Sequence, residues 1–202
     1  MPPALLRAHA TLNDGCAFLI RHRGDRAQAG GWMPDRTFSR LTGNRLRELD
    51  RFLSVLLDEV ARAWGGEGHD GRAFARWRNT PRKLGHVHAL TGTGIEAGAR
   101  AVARLRAIGR LSACLHHCAG TIHIPGLHRD LLLAEGWAAD APAPAIRSPD
   151  VLRLSPQAIG AIGAFYRALG DGLVESLPRR ADIDFRGESV HMGRANVACD
   201  GI

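Results

Sequence analysis

Residues 93–120 read TGIEAGARAVARLRAIGRLSACLHHCAG, and this stretch decides the fold. Thr93 and Glu96 have the S/T-x-x-E spacing of a capping box, and Gly120 suits a C-terminal stop. The large apolar residues are Ile95, Val102, Leu105, Ile108, Leu111 and Leu115. From 102 to 111 they recur every three residues instead of every 3.6, so the stripe winds backward around the helix. Alanines fill much of the remaining surface. A helix with a winding stripe and small residues elsewhere can be gripped from several sides. The spacing predicts a helix over 94–119 at the centre of a mainly α bundle with few or no short strands.

Two further segments support that class. From Asn44 to Trp64, Leu46, Leu49, Phe52, Leu53, Leu56, Leu57, Val60 and Trp64 fall within one arc of about 140° on a helical wheel. Asn44 suits the N-cap and Gly65 the stop. Near the other end, Ser155 and Pro156 suit a helix start, and Ile159, Ile162, Tyr166, Leu169, Leu173 and Leu177 make one stripe before Pro178. The run Cys16–Ile20 fits either a strand or a buried helical turn. A short helix is expected around 72–78, and a possible strand at Gly85–His88. The tail from Ala181 has weak strand-like alternation at Ile183 and Phe185. Residues 138–149 are an Ala/Pro connector. The expected organisation is a basic helical core region over 1–140. The connector, C-terminal helix and tail of 141–202 then pack on the same domain.

The 202 residues carry a formal charge of +7. Of 27 basic residues, 26 are arginine, and the exception is Lys83. Residues 1–85 hold 15 basic and 9 acidic groups, whereas residues 131–202 hold 7 and 9. The positive field therefore belongs to the first two-thirds, as expected of a protein that meets nucleic acid or another polyanion. The plainer reading is a solvated, Arg-rich surface. No run of 18 apolar residues exists, so no membrane-spanning helix is expected. Met1–Leu6 lacks the basic start and long apolar stretch of a secretory signal. The four cysteines form no C-x-x-C pair, which points to a reduced, cytoplasmic setting.

Candidate chemistry gathers in three places. Phe38, Gly43, Leu49 and Phe52 have roughly the spacing of core and turn positions in a helix-turn-helix, and Arg36, Arg40, Arg45 and Arg47 surround the turn. Four guanidinium groups there suit phosphate contacts. On the 94–119 helix, Cys114, His117 and Cys118, with His123, His86 or His88 as a fourth ligand, form a Cys/His set of the kind Zn²⁺ takes. The plain alternative is two small buried thiols and a histidine favoured by the helix C-terminus. On the same helix, Arg106, Arg110, Cys114 and His117 fall on one polar face, and Arg110 and His117 are seven apart. This spacing resembles the Arg/His motif of the HEPN ribonucleases, helical proteins that act on a scissile phosphate at a dimer seam. The resemblance implies a homodimer in which Arg110 stabilises phosphate charge and His117 moves a proton. Leu111 stands where that family often has a polar residue.

Two weaker patterns remain. His86-Val87-His88 resembles the metal triplet of HUH endonucleases, but the only tyrosine, Tyr166, falls inside an apolar stripe and reads as core. Gly92–Gly98 could cradle a phosphate, although capping explains its residues without a ligand. The leading expectation is a nucleic-acid-binding helical protein, DNA-associated, that uses the Arg residues of its first third. The alternative is a metal-dependent or histidine acid–base enzyme, such as a nuclease, centred on the Cys/His cluster.

Overall fold

The computed structural model describes residues 1–21, 35–65, 74, 76–92, 94–122, 126–137 and 151–177. Among them are six helices: α1 (Pro3–Arg21), α2 (Asp35–Gly65), α3 (Thr80–Thr91), α4 (Ile95–His117), α5 (Leu127–Glu135) and α6 (Pro156–Glu175). The fold is a helical bundle. The only extended pairing among the described residues is an isolated antiparallel bridge between Thr121 and Val151. No described helix is long and apolar enough to cross a membrane.

The 31-residue α2 organises the bundle. At 1.5 Å per residue it is about 46 Å long. Its buried side is Leu46, Leu49, Leu53, Leu56, Leu57, Val60 and Ala61. It packs against α1, α3, α4 and α6, while α4 packs against α2, α3 and α5. The expected start at Asn44 is overturned, because the helix runs unbroken from Asp35 through Gly43 and Asn44. The helix-turn-helix reading fails with it, since no turn separates Arg36 and Arg40 from Arg45 and Arg47. Gly43 serves the crossing with α4 instead. A Cβ there would lie 2.7 Å from the His116 backbone nitrogen and 3.0 Å from the Ser112 carbonyl oxygen. The Ser112 hydroxyl donates to the Gly43 carbonyl at 3.0 Å, so the helices meet backbone to backbone.

Leu5, Ala8, Leu12, Cys16 and Leu19 are buried along α1 at helical spacing, which settles the Cys16–Ile20 run as helix. At α4, the N-cap is Gly94, without a side-chain cap bond, and Thr93 lies outside the described residues. The stop comes as expected: Gly120 has φ +86°, and its N–H donates to the Cys114 carbonyl at 3.2 Å. α6 begins at its expected cap, with the Ser155 hydroxyl accepting from the Ala158 N–H at 3.0 Å. Tyr166, on its buried side, is 1% exposed. The 138–149 connector and the tail from Ala181 lie outside the described residues, as do 72, 73 and 75 of the expected 72–78 helix; of the rest, Phe74 is helical, Arg76 is in a turn, and Trp77 and Arg78 are not helical.

Gly85–His88 is helix, not strand. Asn79 caps α3 by accepting the Arg82 N–H at 2.9 Å, and Pro81 sits in its first turn, where a missing N–H costs nothing. This also removes the strand that a phosphate-cradling Gly92–Gly98 loop would need.

Candidate functional site

On α2, Arg36, Arg40, Gly43, Arg47, Ser54 and Asp58 follow one another at intervals of three, four or seven, so they share one stripe. Gly43 holds that stripe against α4. Beyond the crossing, α2, α4 and the start of α3 enclose a cleft of about 750 Å³, with Tyr166 of α6 also in its lining.

The floor of the cleft is polar. Lys83 is 2% exposed, and its ammonium donates to Asp58 Oδ1 and Oδ2 at 2.6 and 2.8 Å and to Ser54 Oγ at 2.9 Å. These three bonds use its three protons. The Thr80 hydroxyl donates to Asp50 Oδ2 at 2.7 Å. Burial raises the carboxyl pKa values of Asp50 and Asp58; the Thr80 hydrogen bond and Lys83 only partly oppose it at Asp50, as Lys83 and Arg62 do at Asp58. Burial, followed by the charges of Asp50 and Cys16, pushes the Tyr166 phenol well above its usual range. The hydroxyl of Tyr166 hydrogen-bonds no described residue.

The mouth of the cleft is cationic. Arg47, Arg51, Arg78 and His117 line it. Arg51 pairs with Glu48 at 3.1 Å, whereas Arg36, Arg40, Arg47 and Arg78 make no ion pair with another described residue. His116 and His117 stack edge to face at 4.5 Å beside this mouth. Burial and then the charges of Arg47, His117 and Arg40 hold His116 below the usual histidine range, so those groups share one neighbourhood. No protein-family model, curated protein or solved structure matches the chain. The reading therefore rests on this geometry.

Three of the four expected phosphate-binding arginines belong to the stripe. Arg45 does not: it lies on the far side of α2, with its guanidinium 5.3 Å from the Phe18 ring centre. The Cys/His set is not assembled. Cys114 is buried, and its thiol donates to the Thr121 carbonyl at 3.3 Å, so it leaves the polar face expected for it. Cys118 is the half-buried C-cap of α4, while His117 faces the cleft. His86 packs against Phe74 and Trp77, and His88 faces Gly98, both from α3. His123 lies outside the described residues. No group of three His, Cys, Asp or Glu side chains among the described residues gathers as metal ligands, so no step is assigned to Zn²⁺.

The Arg/His ribonuclease reading is corrected as well. Arg110 grips Asp130 of α5 through two bonds, Nε to Oδ2 at 2.7 Å and Nη2 to Oδ1 at 2.5 Å. That fork ties α4 to α5 and commits the Nε and Nη2 donors of Arg110 to a structural ion pair.

Lys83, Asp50, Asp58, Thr80 and Tyr166 are the cleft residues that sequence reasoning does not place together. A signal was there. In a chain that otherwise uses only arginine, a lone lysine marks a position where a compact ammonium with three donors fits and a planar fork does not.

Proposed function

We propose that the protein binds nucleic acid on the α2–α4 face, with Arg36, Arg40 and Arg47 contacting successive phosphates and Arg78 and His117 completing the contact across the cleft. One observation carries this reading: Arg47 and Arg78 line one open cleft, Arg36 and Arg40 continue the α2 stripe beyond it, and none of these four pairs with a described carboxylate, whereas Arg51 in the same lining pairs with Glu48. Guanidinium groups on one helical stripe that pair with no described carboxylate are set to exchange water and counterions for phosphate oxygens. The net positive charge of the first two-thirds of the chain supports the same partner.

Fluorescence anisotropy with labelled single-stranded and duplex oligonucleotides between 50 and 300 mM salt tests the proposal. Three to four phosphate contacts give a slope of about −3 in log K against log salt. Arg40→Ala and Arg47→Ala each lower affinity across sequences and reduce the slope by about 1. Absence of binding, or affinity that ignores salt, refutes the proposal.

A further inference from the structure

We propose that the cleft takes one unpaired nucleotide, with its phosphate on Arg47, Arg78 and His117 at the mouth and its base and sugar against Asp50 and Tyr166 inside. This rests on the nucleic-acid reading and narrows it. Among the described residues the interior has no free cation to offer: Lys83 spends its three protons on Asp58 and Ser54. With two carboxylates against that one ammonium, the floor repels phosphate, which must stay with the arginines at the mouth. The ligand is therefore anionic at one end and rich in N–H or O–H donors at the other.

Two acceptors await those donors. Asp50 receives Thr80 on Oδ2, and its Oδ1 has no hydrogen bond to a described residue. The Tyr166 hydroxyl, on a side chain 1% exposed, is in the cleft lining and bonds to no described residue. A hydroxyl in the cleft lining with no hydrogen bond to a described residue is placed to bond a ligand atom. A carboxylate accepts from an exocyclic base amine or a sugar hydroxyl. Trp77 also lines the cleft, but Arg82 lies over its ring at 4.4 Å and Phe74 and His86 contact it, so the polar acceptors and not ring stacking select the base and sugar. At about 750 Å³, the cleft falls in the range that encloses a small-molecule ligand. A duplex presents its base edges paired and cannot insert one of them here. A free nucleotide and the unpaired end of a strand offer the same chemistry.

The test is competition anisotropy on the full chain with a labelled single-stranded 12-mer. Competitors are 5′-mononucleotides, ribose 5-phosphate and unlabelled single strands, and a labelled blunt duplex is titrated separately. Tyr166→Phe and Asp50→Asn are compared with the parent and with Arg47→Ala. Each of the first two lowers single-strand affinity by about five- to thirtyfold, the size of one buried hydrogen bond, and leaves duplex affinity and the salt slope unchanged. Mononucleotides that compete at least tenfold better than ribose 5-phosphate identify a free nucleotide as sufficient. Competition by strands alone identifies the strand end; either result supports the cleft. Tyr166→Phe removes an oxygen bonded to no described residue, so it keeps the fold and decides the matter even where Asp50→Asn unfolds. If both variants bind the single strand as the parent does while Arg47→Ala loses it, the cleft proposal is overturned and the arginine face stands. Failure of the folded parent to bind any oligonucleotide overturns both.

Discussion

Replacing Lys83 by methionine keeps most of the side-chain volume and removes the charge that holds Asp58. In the parent, the ammonium sits 2.6 and 2.8 Å from the two carboxylate oxygens, and Asp58 is only 15% exposed. Removing one partner of such a buried pair leaves an uncompensated charge, which costs about 3–5 kcal/mol. For a chain of this size each kcal/mol lowers Tm by about 2–4 °C, so the variant melts roughly 6–20 °C below the parent. The loss depends on pH. Burial already raises the Asp58 carboxyl, and Lys83 is the main group pulling it back down. Without Lys83, the folded-state pKa climbs further above the unfolded value. A carboxyl raised in this way is fully stabilising below its unfolded pKa, and that contribution disappears as pH rises through the folded pKa. The deficit of Lys83→Met is therefore smaller at pH 4.5 than at pH 8. Urea unfolding followed by far-UV circular dichroism at both pH values measures it. The double variant Lys83→Met/Asp58→Leu recovers most of the loss, because an apolar pair in place of a buried ion pair is often neutral. A deficit below about 1 kcal/mol that ignores pH refutes the argument, since it would mean that water screens the pair as it screens a surface bridge.

Gly43→Ala destabilises the fold by about 1–3 kcal/mol despite alanine's better helix propensity, because its Cβ meets backbone 2.7 Å away. In contrast, Gly109→Ala, with nothing within 4 Å, stabilises by about 0.5–1 kcal/mol; thermal melts of the two variants give opposite signs. Arg110→Ala costs about 1–2 kcal/mol in urea unfolding, since it strands the nearly buried Asp130 but removes an arginine that is half exposed. Burial lowers the His88 pKa, so its contribution is present above the unfolded pKa and is lost as pH falls through the folded one. Stability measured from pH 7.5 to 5 declines less in His88→Leu than in the parent.

How much the sequence revealed varied with the kind of signal. Caps and wide apolar stripes were legible: Ser155 with Pro156, Gly120, Gly65 and the burial of Tyr166 all stand where local chemistry puts them. The first turns of α2 were not, because Gly43 and Asn44 carry turn propensity and only the approach of the α4 backbone explains a glycine there. α1 hides its register, since alanine and cysteine stand among its leucines along the buried face. At the proposed site, Arg36, Arg40 and Arg47 were singled out with Arg45 because they flank an expected turn that α2 does not contain. The sequence could not separate Arg45, which the geometry of α2 turns toward Phe18. The Cys/His set looked dense because its members are close in sequence. Residues two apart on a helix, such as His86 and His88, point to nearly opposite sides. The polar floor was out of reach because its parts come from three helices distant along the chain, and no short spacing records their meeting.

A buried lysine that is unique in the sequence gives this protein a built-in chemical reporter. Reagents that acylate amines find no other side-chain target, and a protease that cuts after lysine has one bond to attack. Both reactions wait for α3 to lift from α2. The rate at which an acyl tag or a cut appears at that position therefore clocks local opening of the bundle, with no engineered label, and a ligand seated above it would slow the clock.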